Sequence, residues 1–404
     1  MTGARPKKMR GRRTAAFVLG LLVVSAASGA LPADPDNAAL LYYQAFLLLP
    51  KCDFRTAALL GQVTYGRDPN DAIRAYVEGC GDAISCAEKA ALAPRCDWGL
   101  PYSFGFHFAW PQLEPARLLA SVLHADARIL ASQGDYRAAL NRCLTLRRFA
   151  RHLGNQPMGL YACSLRAEGD AERCIIQILG SMTPDVETIQ WLKRQLAAVP
   201  PPSFSPAEAL RTQMELVFQT GRTNTKIMTQ IRNHMAKSAG NEQARKAAGL
   251  SDEELFGYVR GPYTEFLDAA RPIVESDMLY EKAYPALQQL ERDLREKINR
   301  DPVGRVVGAN IEMMADDVPL LYTSQVRSAT RLNAFSVALE LYLEKAQTGQ
   351  LPENLPRGCP KDTYSGKDFI YTVSENTFVL RSRVQPGDRT GASVALECRI
   401  PVAH

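Results

Sequence analysis

The chain has 404 residues, 46 % hydrophobic and 23 % charged, enough to bury a large core and to exclude wholesale disorder. Its formal net charge of +5 misleads, because Arg5, Lys7, Lys8, Arg10, Arg12 and Arg13 crowd the start and leave the remainder close to neutral. That excludes bulk nucleic-acid binding, while the length suggests roughly two or three domains.

The basic start runs into "TAAFVLGLLVVSAASGA", an apolar stretch ending in small residues such as Ser28 and Ala30. Basic, apolar and small segments in that order read as a signal peptide over residues 1–30, with cleavage after Ala30. The apolar part, Ala15 to Val24, is shorter than the ~20 residues that cross a bilayer. An uncleaved anchor extended through Ala27 is the alternative, and no later segment approaches a span. The expected destination is periplasmic or extracellular, with membrane contact only through that segment if it is retained.

Residues 31–200 read as helical hairpins with a Cys-rich, irregular N-terminal part. "DPDNAALLYYQAFLLLP" is a helix opened by Asp36 or Asn37 and stopped by Pro50. "DPNDAIRAYVEG" is another, whereas "PRCDWGLPYSFGFHFAWP" is too broken by Gly and Pro to be helical. It is expected to cover the core as an irregular strip pinned by Cys96, Trp98, Phe104, Phe106 and Trp110. From Glu114 onward two amphipathic helices follow, separated by Gly134-Asp135. Leu118, Leu119, Val122, Ala125 and Ile129 stripe the first, and Ala139, Leu140, Cys143, Leu144 and Phe149 the second. The short loop implies an antiparallel pair. A further helical pair spans Gly159 to Val199, broken at Thr183-Pro184, with Thr183 as the cap.

"PPPSFSPAEAL" marks a boundary, with Ser205 to Glu208 as a capping box. Residues 201–315 form a second helical region in which Ser251 and Glu254 make another capping box. The stretch "HMAKSAGNEQARKAAG" is read as a solvated connector. Residues 316–404 form an α+β unit. A last long helix over "TSQVRSATRLNAFSVALELYLEKAQTGQ" ends at Gly349 before Pro352. Phe369 and Tyr371, a Ser374-Glu375-Asn376 turn, then Phe378 and Leu380 read as a hairpin, with "ASVALECRIPV" as a third strand. The fold class expected is mainly α, stacked antiparallel helical hairpins plus a long helix packed on a short antiparallel sheet.

Nine cysteines in an exported chain are expected to pair, with one left over. Cys52, Cys80, Cys86 and Cys96 form an early cluster whose connectivity spacing leaves open. Cys163 and Cys174 share a helix ~16 Å apart along its axis, too far to bond each other, so one of them is expected to reach Cys143. Cys359 is expected to pair with Cys398. Zinc is not expected, since the paired-cysteine spacing of zinc sites is missing.

Two resemblances add to this reading. "GDYRAAL" resembles the turn of a tetratricopeptide repeat, over one unit only. "LYLEKAQTGQLPENL", "PKDTYSGKDFIYTV" and "TFVLRSR", within Ala329 to Arg383, resemble the C-terminal half of type II secretion pseudopilins. That resemblance implies a helix lying on a small antiparallel sheet. Their N-terminal methylation motif is absent, and "VQPGDRTGAS" offers only Asp388 where the major subunit carries an acidic calcium loop, so neither calcium nor filament assembly is carried over. The remainder, including "RCDWGLPY", looks like scattered uncharacterised exported bacterial proteins.

Catalytic candidates are sparse. His107, with Asp97 and Glu114 near it in sequence, is the one base–carboxylate combination on offer, with no nucleophile motif beside it. His124 reads as structural, and His152 as a helix-end histidine favoured by the macrodipole. Asp316 and Asp317, adjacent on a helix, diverge too far to share a metal. No motif calls for a cofactor. Three functions are compatible: a scaffold holding a protein partner between hairpins, a component of an envelope or secretion assembly, and a hydrolase using His107 with Asp97 or Glu114.

Overall fold

Asn37 opens the first helix, α1 (Ala38–Leu48), by accepting the Ala39 N–H on its side chain. The computed structural model describes residues 35–100, 112–154, 158–183, 185–199, isolated positions between 208 and 233, and then 242–301, 303–305, 317–374, 377–383 and 394–399. The segment expected to be a signal peptide, Phe104, Phe106, Trp110, the expected capping box at Ser205 and Asp388 lie outside these residues. The chain divides into two compact units, Met1–Asp36 and Asn37–His404, and the described helices and strands all belong to the second.

Asn37 also bonds both the amide and the carbonyl of Asp97, at 2.8 and 2.9 Å, which ties the irregular segment to the head of α1. Helix α2 (Phe54–Thr64) is capped by Asp53 and α3 (Asp71–Glu78) by Asn70; α4 (Gly81–Leu92) then packs on α1. Next come α5 (Leu113–Ser132) and α6 (Tyr136–Gly154). Gly134 adopts φ +84° and Asp135 accepts the Ala138 N–H at 3.0 Å, so the expected antiparallel hairpin forms as its turn chemistry requires. Helix α7 (Met158–Leu179) packs along α6, and α8 (Val186–Ala197) follows. The cap of α8 is Asp185 rather than Thr183: its carboxylate takes the Glu187 and Thr188 amides, a stronger acceptor one residue past the proline.

Helix α9 (Glu242–Ala248) lies within the stretch expected to be a connector. Helix α10 (Asp252–Val274) has the Ser251–Glu254 capping box and runs on through Pro262 and Pro272, and α11 (Tyr280–Arg300) continues past Pro285. Helix α12 (Asp317–Thr348) begins earlier than its apolar pattern suggests. It ends at Gly349, φ +79°.

Strands β1 (Ile370–Ser374), β2 (Thr377–Arg381) and β3 (Ala395–Arg399) form an antiparallel sheet in chain order. Phe378 pairs with Val373 and Cys398, Leu380 with Tyr371 and Leu396, so one face of β2 meets α12. There Phe335, Ala338, Leu339 and Tyr342 are buried with Phe378, Leu380 and Cys398, and the Tyr342 hydroxyl donates to the Arg399 carbonyl at 2.6 Å. The protein is thus mainly helical with a small C-terminal sheet under its last helix. The crossover between them hinges on Asp362, which is fully buried and accepts from Tyr364 N, Ser365 Oγ and Arg383 N at 3.1, 2.6 and 2.8 Å.

The disulfide framework is not present: all nine cysteines carry free thiols. Cys398 points into the core between sheet and α12, while Cys359 lies half-buried in the crossover at the edge of the same cluster. Lying alone together in the sequence did not make them partners in space. In the early cluster, Cys80 is buried and donates to the Tyr76 carbonyl at 3.2 Å, whereas Cys52, Cys86 and Cys96 are half-buried, each packed on the first core cluster. Cys174 does reach Cys143 on the neighbouring helix, as a thiol neighbour and without a bond.

Candidate functional site

The base–carboxylate combination turns on His107 together with Asp97 or Glu114. His107 lies outside the described residues. Asp97 is exposed and spends its carboxylate on the Gly99 amide at 2.9 Å, a local turn. Glu114, in the first turn of α5, pairs with Arg117 at 2.7 Å on the surface and rims a groove that Asp97 does not line.

That groove, about 470 Å³, runs between α1, α2 and α5. Phe46, Leu60 and Leu118 form much of its lining, with Leu49, Pro50, Phe54 and Pro115 around them and Asp53, Arg117 and Ser121 as polar points. Phe54 is 92 % exposed, and Leu47, on the adjoining outer face of α1, is 86 % exposed. Leu40, seven residues before Leu47 and so nearly in line with it, and Leu48, about a quarter-turn round, are exposed as well. Helix α1 is apolar but for Gln44; Ala38, Ala39, Leu41, Tyr42 and Ala45 are buried and Tyr43 and Phe46 half-buried, while Leu40, Leu47 and Leu48 stay bare. A helix of that composition is ordinarily buried on every side, so its bare face is the anomaly.

Behind α1 lies an aromatic cluster. Tyr42 stacks on Trp98 at 5.6 Å between ring centres and tilts onto Phe149 at 4.7 Å; the Trp98 indole N–H donates to the His152 carbonyl at 3.0 Å. Tyr42 Oη lies 3.0 Å from His152 Nδ1. Burial pushes the His152 pKa down to about 4, so the ring is neutral, and its tautomer sets which partner donates in the bond to Tyr42. The macrodipole role expected of His152 is overruled: desolvation in the aromatic cluster outweighs the pull of the helix end.

His124 is fully buried beside Cys174 and Cys143 where α5, α6 and α7 meet. Burial alone would raise the Cys174 thiol; the Cys143 thiol and the His124 ring more than offset this and bring it down, while burial pushes Cys143 up. Neither His124 ring nitrogen has a well-aligned hydrogen bond among the described residues, and Cys174 Sγ reaches the His124 carbonyl at 3.8 Å. Sealed inside three helices, this cluster cannot meet a substrate.

Charge is concentrated between α7 and α12. Glu172, 2 % exposed, holds Arg147 at 3.3 Å and Arg331 at 3.0 Å, and Arg151 meets Glu168 at 2.7 Å. Burial raises the Glu168 carboxyl despite the pull of Arg151 and Arg147. Arg331 fits because residue 169 is glycine: a Cβ there would stand 2.3 Å from the guanidinium carbon. Above this network opens a cleft of about 380 Å³ whose lining includes Arg166, Arg173, Arg327, Arg331, Ser324 and Ser328. The sequence reading missed these arginines. Their signal was present in like charges spaced 166/173 and 327/331, both helical intervals, beside small residues at 169, 324 and 328.

Among the described residues no group of histidine, cysteine or carboxylate side chains could hold a metal, and no helix is long and apolar enough to cross a membrane. No protein-family model matches the chain, and no curated protein or solved structure is significantly similar to it.

Proposed function

We propose that this protein is an exported helical scaffold that holds a protein partner in the groove between α1, α2 and α5. The observation that carries this reading is the bare apolar surface at the groove: Phe54 and Leu47, each more than four-fifths exposed, continuous with a hollow lined by Phe46, Leu60 and Leu118. Large apolar side chains grouped at a concave surface are the usual footprint of a partner's apolar segment, most simply an amphipathic helix laid into the groove. Export rests on the basic-then-apolar start of the chain; the free thiols lend it no support. A place in an envelope or secretion assembly is the second reading, favoured by α12 lying on the small sheet in the manner the pseudopilin-like segment implies.

A photo-crosslinking residue at position 54, introduced in the producing cell, tests the first reading. A discrete adduct in the exported fraction, lost when Leu47→Glu and Leu48→Glu are added, is the expected result. No adduct, or one that survives those changes, refutes the groove as the docking site. Fractionation and N-terminal sequencing of the same protein test export: an intact leader in the cytoplasm overturns it.

A further inference from the structure

The cleft between α7 and α12 presents one face of each helix. Ala162, Leu165, Arg166, Asp170 and Arg173 come from α7, and Leu321, Ser324, Arg327, Ser328 and Arg331 from α12. Its arginines divide into two kinds. Arg173 is paired with Asp170 at 2.8 Å and lies over the Tyr65 ring at 5.2 Å, and Arg331 is held by Glu172. Arg166 and Arg327, one from each helix, have no acidic partner among the described residues, although the cleft's own carboxylate, Asp170, is close in sequence to Arg166. Arg166 and Arg327 therefore bring two positive charges that no ion pair at the cleft offsets.

Isolated surface arginines would ordinarily be no more than hydrated. Ser328 separates this case from that one. It is only 8 % exposed and lines the cleft, yet its hydroxyl has no hydrogen-bond partner among the described residues. Its helical neighbours behave differently: Thr323 and Ser324 bond back to the Pro319 and Leu320 carbonyls at 2.8 and 2.9 Å. The Ser328 hydroxyl therefore opens on the arginine-rich hollow with only solvent there to accept from it, a place that an anion's oxygen can take.

We propose that this cleft binds a phosphate monoester, with Arg166 and Arg327 bracketing the dianion, Ser328 donating to it, and the Leu165, Leu321 and Tyr65 side chains receiving its organic body. Two guanidinium forks and a hydroxyl offer more donors than the two oxygens of a carboxylate can accept, and a dianion neutralises the two charges, which a monoanion leaves half unmet. The volume falls in the range that small-molecule sites occupy. This goes beyond the scaffold reading: it concerns another pair of helices and stands or falls independently of the groove.

The test titrates the purified chain calorimetrically with inorganic phosphate, phenyl phosphate and benzoate, holding ionic strength constant with chloride. Phenyl phosphate is expected to bind more tightly than phosphate, and benzoate about tenfold more weakly than phenyl phosphate, the worth of one charge-assisted hydrogen bond. Arg166→Gln and Arg327→Gln, at exposed positions without acidic partners, should keep the unliganded melting temperature and each weaken phenyl phosphate about tenfold. Ser328→Ala should weaken it about threefold. The proposal is overturned if phosphate binds no better than chloride, if either arginine variant binds as the parent does, or if benzoate matches phenyl phosphate.

Discussion

Acidification to pH 4.5 should remove the stability that one side chain, His152, contributes to this protein. Its folded pKa is about 4 against an ordinary 6.5, because the ring is desolvated beside Tyr42, Phe149 and Trp98. The unfolded chain therefore takes up a proton on falling through 6.5 that the folded chain refuses until about 4. Stability from this site is fully present above 6.5 and declines as pH falls towards 4. At pH 4.5 the two values imply a loss of about 2.5 kcal/mol relative to pH 7. Other groups titrate over the same range, so the measurement must be differential. Urea unfolding followed by tryptophan fluorescence, at pH 7 and 4.5, would be compared between the parent and His152→Gln. The variant gives up the Tyr42 hydrogen bond at both pH values, but its drop between them should be smaller by about 2.5 kcal/mol. Equal drops in the two proteins would refute the neutral, desolvated histidine, and with it the aromatic cluster as a dry interior.

Gly169→Ala should reverse the usual sign of a glycine-to-alanine change within a helix. The ~1 kcal/mol gained in helix propensity is outweighed by ~2 kcal/mol lost when Arg331 is displaced from Glu172, for a net loss of about 1 kcal/mol in chemical denaturation. In an Arg331→Ala background the same change should stabilise, and equal effects in both backgrounds would disprove the contact. Asp362→Ala should cost about 3 kcal/mol, since the buried Tyr364 amide, the Arg383 amide and the Ser365 hydroxyl lose their acceptor; a urea midpoint within error of the parent would contradict that. Denatured without reductant, the chain should titrate as nine thiols with a colorimetric disulfide reagent, and seven or fewer would restore a disulfide to the fold.

What was legible in the sequence was local. Gly134-Asp135, the Ser251–Glu254 box and Gly349 act on their own backbone neighbours, so their chemistry can be read without knowing the fold. The stripe of α6 is buried as its period requires, while Leu118 in that of α5 turns instead to the groove lining. Helix bounds failed where tertiary packing overrode local preference. Pro262 and Pro272 each forgo a helical hydrogen bond, yet α10, packed on α11, carries through them. Cysteine pairing failed because proximity in sequence carries no information about direction: Cys398 faces inward by strand alternation, and nothing brings Cys359 onto that vector. Each half of the arginine cleft was visible as a spacing on its own helix, but not their meeting, since Glu172 and Arg331 stand 159 residues apart and only the packed helices join them.

The buried ion pairs are better explained by register than by net stability. An acid and a guanidinium withdrawn from water gain little over well-packed apolar residues, but a mismatch strands a charge in the interior. Glu172, buried on α7, takes Arg331 of α12, and a half-exposed pair, Lys193 on α8 with Glu340 of α12 at 2.6 Å, matches it further along, so both contacts set the position of α12. Sliding it by one residue would uncouple both pairs and bury Glu172 with Arg147 alone. The glycine at 169 lets the first pair close, and from it Arg327 and Ser328 lie one turn back on α12 and Arg166 three residues back on α7. The interior network therefore sets the spacing of the cleft above it. Tyr342, further along the same helix, carries that register to the sheet through the Arg399 carbonyl. Gly169→Ala should for that reason weaken phosphate binding although residue 169 does not line the cleft, and unaltered binding would separate the cleft from the network beneath it.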